Sequence, residues 1–254
     1  MNGTLELISK RRSIRSYQKR DITEADKTKI INAAMRSPTA GNMMLYSIIE
    51  IEDQNIKDKL VKSCDNQPFI ARAPLVLLFI ADYQRWMDYF EFCEIGKLIE
   101  NDEVIKRTPQ EGDLMLACCD ALIAAQTAVI AAESLGIGSC YIGDVMENFE
   151  YHQELFDLPK YTFPITLLSF GYPTEKALTR EYTTRLKQKY VHYKNKYRTL
   201  ENTEFKHLYE DRELKNYVGN AKNFGQHMYL KKFTAEFTVE MTRSVKQAIK
   251  KWCA

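Results

Sequence analysis

Residues 114–135 read LMLACCDALIAAQTAVIAAESL, and the fold class follows from this segment. Small and apolar residues recur on more than one side of a helix of this length. This pattern is typical of a helix at the centre of a large core or at a subunit interface. Gly136 and Gly138 follow at once and are expected to end the helix. We therefore expect this helix to lie either at the centre of the core or at a subunit interface.

Strand and helix patterns are found on both sides of this segment. Residues 73–81 contain the run PLVLLFI, which is typical of a strand buried on both faces. The chain has neither regular βαβ alternation nor a G-x-G-x-x-G or G-x-x-x-x-G-K-[ST] motif. This order predicts an α+β fold, with helices packed on a central sheet. The other predicted elements are helices over 2–10, 24–36 (with Thr23 as N-cap), 55–64 and 150–156, strands over 47–52 and 163–172, and a strand or loop beginning at 139–143.

The composition changes after Pro173, where the chain becomes basic and rich in tyrosine. We expect residues 1–179 to form the core and residues 180–254 to form a C-terminal extension that is not an independent domain. The extension has too few apolar residues for a core of its own, so it is predicted to wrap the domain or a partner subunit. Residues 84–113 are aromatic at first and then polar, which indicates a partly helical excursion. It is either an aromatic lid or a hydrophobic flap.

Charge and cysteine content restrict the class of protein. The net charge is only +2, which gives no general field for nucleic acid, and the basic segment 180–198 does not change that expectation. We find no apolar run that approaches the roughly 20 residues needed to span a bilayer, and no signal-peptide pattern in residues 1–10. The six cysteines have no C-x-x-C spacing, so we expect no metal site and a reducing, cytoplasmic setting. Cys118 and Cys119 are expected to lie in the core.

Residues 11–17 read RRSIRSY and concentrate three arginines and two serines. A guanidinium offers five donors in a rigid fork that matches phosphate, so this cluster can surround one phosphate and reach a second acceptor. A solvated basic turn would have the same composition. Three further motifs favour a bound phosphorylated cofactor instead. They are residues 37–42 (SPTAGN), Gln67 and residues 136–143 (GIGSCYIG).

These motifs occur in the order seen in flavin-dependent nitroreductases. The chain resembles most the branch of NADPH-dependent nitroreductases and flavin reductases with a C-terminal extension, and its residues 233–252 (FTAEFTVEMTRSVKQAIKKW) are similar to that branch as well. The resemblance covers nearly the whole chain. It implies a nitroreductase-like, antiparallel-rich central sheet flanked by helices, in a homodimer with two FMN sites at the interface. It also implies that the C-terminal extension wraps the dimer partner.

The resemblance assigns the phosphate end of FMN to Arg11, Arg12 and Ser13. Arg15 would reach the O2/N1 edge of the isoalloxazine, where a cation stabilises the anionic reduced flavin and raises its potential. The loop expected to line the ring and the ribityl chain comes from the other subunit in this family. Its residues here are Ser37, Pro38, Thr39, Ala40 and Asn42.

The remaining residues implied by the resemblance are spread along the chain. Gln67 would bond the ribityl chain or the ring edge, and Arg185 would help to bind phosphate. The ring would be flanked by Tyr141, Ile142 and Gly143, with a backbone N–H near N5. Each also has a purely structural explanation: Asn42 as a turn cap, the glycines of 136–143 as a helix stop, Tyr141 as a core aromatic and Arg185 as part of a solvated face.

The chain departs from the family pattern at several positions. Met44 replaces a frequent glutamine, and Thr183 replaces a frequent lysine. Asp144 stands where this branch commonly has glycine, and Glu147 follows shortly after it. Two carboxylates disfavour a 2′-phosphate nearby, so the preference for NADPH over NADH is open.

The resemblance implies ping-pong transfer of a hydride from NAD(P)H through flavin N5 to a nitroaromatic, a quinone or a related acceptor. The cofactor performs the chemistry, so no catalytic side chain is assigned. Two alternatives are an NAD(P)H:flavin reductase with free FMN or FAD as acceptor, and an FMN-binding protein with slow turnover.

Overall fold

The structure, a computed structural model, describes residues 2–100, 105–212, 214 and 216–254. In this part of the chain there are two compact units. The first comprises residues 1–179 and 240–254, and the second comprises residues 180–239. Residues 240–254, the end of the predicted C-terminal extension, thus belong to the first unit.

Within the described residues, four strands form one sheet in the first unit. They are β1 (Tyr46–Glu50), β2 (Leu75–Asp82), β3 (Gly138–Ile142) and β4 (Thr162–Gly171), in the order β1-β2-β4-β3. The pairings between neighbours are antiparallel, which confirms the predicted antiparallel-rich sheet. Every residue of β2 is buried, as its unbroken apolar run predicts for a central strand.

Helices account for most of the other described residues, and the predicted ones are present with ends shifted by one to three residues. Thr23 caps the helix that follows it, since its hydroxyl accepts from the Asp26 N–H at 3.2 Å. The helices are α1 (Gly3–Lys10), α2 (Glu24–Met35), α3 (Gln54–Ser63), α4 (Phe69–Arg72), α5 (Gln84–Phe92), α6 (Ile95–Glu100), α7 (Glu111–Ser134), α8 (Phe149–Leu155), α9 (Glu175–Leu178), α10 (Asn202–Leu208), α11 (Phe224–Met228) and α12 (Glu236–Cys253).

The long central helix α7 packs on β2 and β4 through one side. That side is built largely from alanines, which allow the helix to approach the sheet closely. Its buried residues recur at helical spacing: Leu114, Ala117, Asp120, Ala121, Ala124, Ala125, Ala128, Val129 and Ala132, with Asp113 at the first turn.

The opposite side of α7 is apolar but exposed in the single chain. Met115 is 68% exposed and Leu122 is 42% exposed. Cys119 is exposed on this side and Cys118 is half-buried, so the expectation that both cysteines lie in the core was wrong for Cys119. The reason is that helical geometry turns position 119 away from the alanine side.

The expectation that no segment is apolar enough to span a bilayer was also wrong. α7 has the length and hydropathy of a membrane span. Its many alanines and only a few charged groups produce this hydropathy, and its packing against the sheet explains why such a helix occurs in a folded core.

The excursion at 84–113 begins with α5, as its aromatic composition suggested, and residues 101–104 lie outside the described residues. Neighbouring rings of α5 contact one another, with 5.8 Å between the centroids of Trp86 and Tyr89. Phe92 is 81% exposed at the end of this helix. Whether the excursion acts as a lid or a flap stays a prediction.

The C-terminal half of α12 packs into the first unit through Trp252, which is almost fully buried. The indole ring meets Tyr161 edge to face, with 5.8 Å between ring centroids. Ser244 donates a hydrogen bond to the Met146 carbonyl at 2.6 Å. These contacts explain why residues 240–254 belong to the core unit, although their composition resembles that of the tail before them.

Candidate functional site

The arginine-rich segment is fixed to the edge of the sheet. Ser13 forms a parallel bridge with Ser139 of β3, and the Ile14 N–H donates to the Ser139 carbonyl at 2.8 Å. A Cβ on Gly138 would lie only 2.4 Å from the Ile14 side chain, so glycine is needed for this close approach. The backbone that carries the arginines therefore has one defined position.

A second anchor holds the segment from its C-terminal side. The Tyr17 hydroxyl donates to the Ile14 carbonyl at 2.9 Å and lies 2.8 Å from the Ser169 hydroxyl. Burial raises the pKa of Tyr17, so this hydroxyl stays protonated. The sequence motif did not predict this role for Tyr17, although Tyr17 is the last residue of the segment that carries the arginines.

The arginine side chains of this segment contact different elements of the first unit. Arg12 donates to the Leu178 carbonyl at 2.8 Å. Arg15 is exposed and lies 5.8 Å from the centre of the Phe69 ring. Burial raises the pKa of the Glu133 carboxyl to about 7, and the smaller opposing effect comes from Arg11 and Arg12. The C-terminal end of α7 is thus beside the first two arginines.

Gln67 lies in the loop between α3 and α4, two residues before Phe69. Its amide nitrogen donates to the Cys64 carbonyl at 2.9 Å and to the Asp144 carboxylate at 3.0 Å. The structure therefore brings the segments around Arg15, Gln67 and Asp144 together at one end of β3.

The three residues after Cys140 occupy different environments. Tyr141 is half-buried, its hydroxyl donates to the Gln126 side chain at 3.3 Å, and burial raises its pKa to about 12. The Ile142 side chain is buried in the core, so only its backbone is available to a ligand. Gly143 begins the turn that leads to Asp144.

The loop over residues 37–42 is organised by Asp120, a buried carboxylate of α7. The Thr39 hydroxyl donates to this carboxylate. The N–H groups of Ala40 and Leu45 donate to it at 3.1 and 3.2 Å. These bonds hold the loop through left-handed residues, including Asn42 at φ 59°.

The same loop is supported from its other side by α5. The Trp86 indole N–H donates to the Met43 carbonyl at 2.8 Å, and the Arg85 guanidinium donates to the Met44 carbonyl. The Ser37 hydroxyl oxygen is buried without a hydrogen-bond partner among the described residues. A buried hydroxyl without a partner is unusual, and this one lies in a loop expected to line a ligand.

The predicted site residues fall into separate groups in one chain. The loop over 37–42 is bound to Asp120, whereas Arg11 and Arg12 lie beside Glu133. Those two acids are 13 positions apart on α7, which is about 20 Å at 1.5 Å per residue. Arg185 lies in the second unit, where it is exposed. Pro38 is part of the loop over 37–42.

Sequence reasoning missed the supporting residues Asp120 and Trp86. Asp120 carries a signal of its own, because a lone acid inside an apolar helix must find donors when it is buried. The Trp86 contact joins segments distant in sequence and has no local signal.

The antiparallel sheet, the central helix packed on it and the arginine segment bridged to the edge strand β3 define an α+β protein. Comparison with known proteins agrees: the chain belongs to the nitroreductase family, whose model matches residues 8–172.

Named relatives carry closely related activities. The chain is 32% identical to an FMN reductase [NAD(P)H] of Bacillus subtilis, over 78% of this chain and 75% of that protein. It is 31% identical to an oxygen-insensitive NADPH nitroreductase of Salmonella typhimurium, over 79% and 77% of the two chains. The solved structure of NfrA2 from B. megaterium matches with a TM-score of 0.78 and 28% identity, over 98% of each chain.

Proposed function

We propose that the chain is an NAD(P)H-dependent oxidoreductase that binds FMN at the arginine segment and reduces nitroaromatic, quinone or related acceptors. The observation that carries this proposal is the fixed position of Arg11–Arg15 on β3, with Gln67 beside it, in a member of the nitroreductase family. The relatives named above are an FMN reductase and a nitroreductase, which supports both the cofactor and the reaction class.

The residues present suit FMN. Arg11, Arg12 and Ser13 offer charged and hydroxyl donors for a phosphate on a backbone that cannot shift freely. Arg15 supplies a cation at the neighbouring position over Phe69, where it would stabilise negative charge on the pyrimidine edge of the flavin. When bound, FMN supplies the two-electron chemistry, taking a hydride from NAD(P)H and passing electrons to the acceptor.

The chain's own residues bind and orient. The proposed site uses the arginine segment for phosphate, Gln67 for a polar group of the flavin, and the backbone of residues 141–143 against the ring. Arg185 is proposed as a further phosphate contact. None of these side chains needs to act as a nucleophile or a general base, so orientation and electrostatics are their contribution.

We further propose that the active form is a homodimer. The apolar, exposed side of α7 is a suitable contact surface, because such a stripe is rare on a monomer. In one chain, the loop over 37–42 contacts Asp120 near the middle of α7, whereas the arginine segment lies beside Glu133 at its C-terminal end, about 20 Å away. A twofold partner with its α7 antiparallel would bring the loop of one subunit to the arginines of the other.

Light scattering after size exclusion tests this assembly. We expect a dimer for the wild type and a monomer for Ile123→Glu, which places a charge in the stripe. Tyr151→Glu is the matched control, since Tyr151 is similarly exposed but lies on α8. The monomeric variant is also expected to lose FMN. A variant that stays dimeric and yellow would contradict the proposed interface.

The cofactor is tested by the absorption spectrum of purified protein, which should show the bands of oxidised flavin. Rapid mixing with NADH or NADPH should then bleach the bound flavin at least as fast as the enzyme turns over in the steady state. Protein that stays colourless after incubation with excess FMN would overturn the proposed function, and bound flavin that bleaches only slowly would indicate an FMN-binding protein instead.

A second candidate acceptor is free flavin, because relatives of this chain are named FMN reductases. Steady-state assays with added FMN and with a nitrofuran, at equal coenzyme concentration, separate the two activities.

We also propose a reducing, cytoplasmic setting. The proposal rests on the free cysteines, of which Cys64 and Cys140 are buried.

A further inference from the structure

The amide of Gln67 has a single allowed orientation. Its nitrogen donates to the Cys64 carbonyl and to the Asp144 carboxylate, at 2.9 and 3.0 Å. A carbonyl and an ionised carboxylate only accept, so neither would tolerate the amide oxygen in place of the nitrogen. Both N–H bonds are used, and only the carbonyl oxygen of the amide remains to meet a ligand.

Asp144 is held in place independently of Gln67. It begins a single turn of helix, Asp144–Met146, in which the Glu147 N–H donates to the Asp144 carbonyl at 3.0 Å. The Val145 carbonyl lies 2.9 Å from the buried His152 ring, and the Met146 carbonyl accepts from Ser244 at 2.6 Å. These bonds fix the backbone of the turn from which the Asp144 side chain reaches Gln67.

The surroundings of Asp144 are negative. Glu147 is only 5% exposed, and one of its carboxylate oxygens is buried without a hydrogen-bond partner in the described part of the chain. Burial, with smaller contributions from Asp144, Asp65 and Glu240, raises the pKa of Glu147 to about 7. A cation lies near the same loop, because the Arg15 guanidinium is 5.8 Å from the centre of the Phe69 ring, two residues after Gln67.

We propose that Asp144 is a positioning residue of the flavin site: it holds Gln67 as an acceptor for an N–H or O–H group of the flavin. This inference rests on the proposed function. The ligand group is the imide N3–H of the isoalloxazine or a ribityl hydroxyl, since both are donors. The charge of Asp144 also makes the Gln67 oxygen a more negative neighbour for the flavin. It therefore opposes Arg15 and disfavours the anionic reduced form.

Asp144→Asn tests the charge with almost no change in shape. We expect its bound flavin to be easier to reduce, with the equilibrium shifted at least tenfold, or about 30 mV for a two-electron couple. The measurement is equilibration with redox dyes at pH 7.5. The matched control is Asp65→Asn, which removes a charge from the loop between α3 and α4 that carries Gln67. Asparagine is suited to the left-handed φ of 56° at this position.

Asp144→Ala tests the hydrogen bond as well as the charge. We expect its affinity for FMN to fall at least threefold, because the Gln67 amide is then held only by its hydrogen bond to the Cys64 carbonyl. Binding of 3-methyl-FMN to the wild type identifies the donor: weaker binding than FMN indicates the imide, and equal binding indicates a ribityl hydroxyl. Circular dichroism of each variant shows whether it is folded.

The outcomes separate the inference from the proposed function. Wild-type protein that binds no FMN overturns both. Wild-type protein that binds and turns over FMN, with both Asp144 variants within twofold of it in affinity and potential, overturns only the role of Asp144. An equal shift in Asp65→Asn and Asp144→Asn also overturns it, because net charge alone would then explain the effect.

Discussion

The buried carboxylate of Asp120 accepts the hydrogen bond of the Thr39 hydroxyl and so joins the central helix to the loop after α2. Three donors meet this one group, because the Ala40 and Leu45 N–H groups point to it as well. An unpaired buried carboxylate is costly, and each charge-assisted bond contributes about 1.5–3 kcal/mol. The loop conformation therefore depends on α7 more than on its own turn residues.

Asp120→Asn is expected to destabilise the protein by about 2–4 kcal/mol, because an amide N–H would then face backbone donors. Urea unfolding at 25 °C measures this loss. Glu111→Gln is the control, since Glu111 is an exposed acid at the start of the same helix, and it should change stability by less than about 0.5 kcal/mol. Equal stability of Asp120→Asn and wild type would show that the carboxylate does not hold the loop.

Arg12→Ala is expected to weaken FMN binding by about 10- to 100-fold, the effect of losing one charged hydrogen bond to phosphate. Quenching of flavin fluorescence measures the affinity. Riboflavin, which lacks the phosphate, should bind the variant and the wild type equally. Unchanged affinity for FMN would place the phosphate elsewhere on the chain.

Arg15→Ala is expected to keep much of its flavin but to make the bound flavin harder to reduce. The guanidinium lies over Phe69 beside the segment of Gln67, where it would stabilise the negative charge of the reduced ring. We expect the equilibrium to shift by about tenfold, or about 30 mV for two electrons. Arg15→Lys retains the charge and should recover most of the loss. A higher potential in Arg15→Ala would contradict this role.

The order of elements was accessible from the sequence, because periodicity and capping are local. The apolar run of β2, the Thr23 cap and the length of α7 all depend on near neighbours in the chain. The site was accessible only in part. Arg12 and Gln67 stand in recognisable motifs, whereas the Asp144–Gln67 hydrogen bond joins residues 77 positions apart.

The exposed side of α7 could not be predicted from the local sequence either. The hydropathy of Cys119 and Leu122 is that of core residues, and nothing in their own sequence separates them from the alanines that face the sheet. Only the packing of β2 and β4 against one side of the helix decides which residues are left outside. A contact surface between subunits and a core thus have the same local pattern.

Stability is expected to fall as the pH rises from about 4.5 to about 7. Glu147 is protonated in the native state over this range, because its pKa is raised to about 7 from 4.5, whereas the unfolded chain is ionised. The native state then binds more protons, so the free energy of unfolding decreases with pH. Glu133 has a pKa raised in the same direction and contributes in the same sense.

Glu147→Gln should therefore be more stable than wild type at pH 8, by about 1–3 kcal/mol, and similar to it at pH 4.5. Urea unfolding of both apoproteins across this pH range gives their free energies of unfolding. The difference between the two proteins at each pH is the contribution of Glu147. Glu154→Gln removes an exposed acid of α8 and should follow the wild type at every pH. A constant difference between Glu147→Gln and wild type across the range would mean that ionisation is not its cause.

Gly138→Ala is expected to displace the arginine segment. The added Cβ would lie 2.4 Å from the Ile14 Cγ1 atom and 2.9 Å from its Cβ, so either the strand edge or the segment must move. Overpacking of this kind costs about 1–3 kcal/mol, and we expect weaker FMN binding from the shift of Arg12 and Arg15. Ile14→Ala in the same chain should restore part of the affinity by removing the closer atom. Gly112→Ala is the matched control, because its Cβ would meet no atom within 4 Å. If Gly138→Ala bound FMN as the wild type does, the close contact between β3 and the arginine segment would not be what positions the phosphate site.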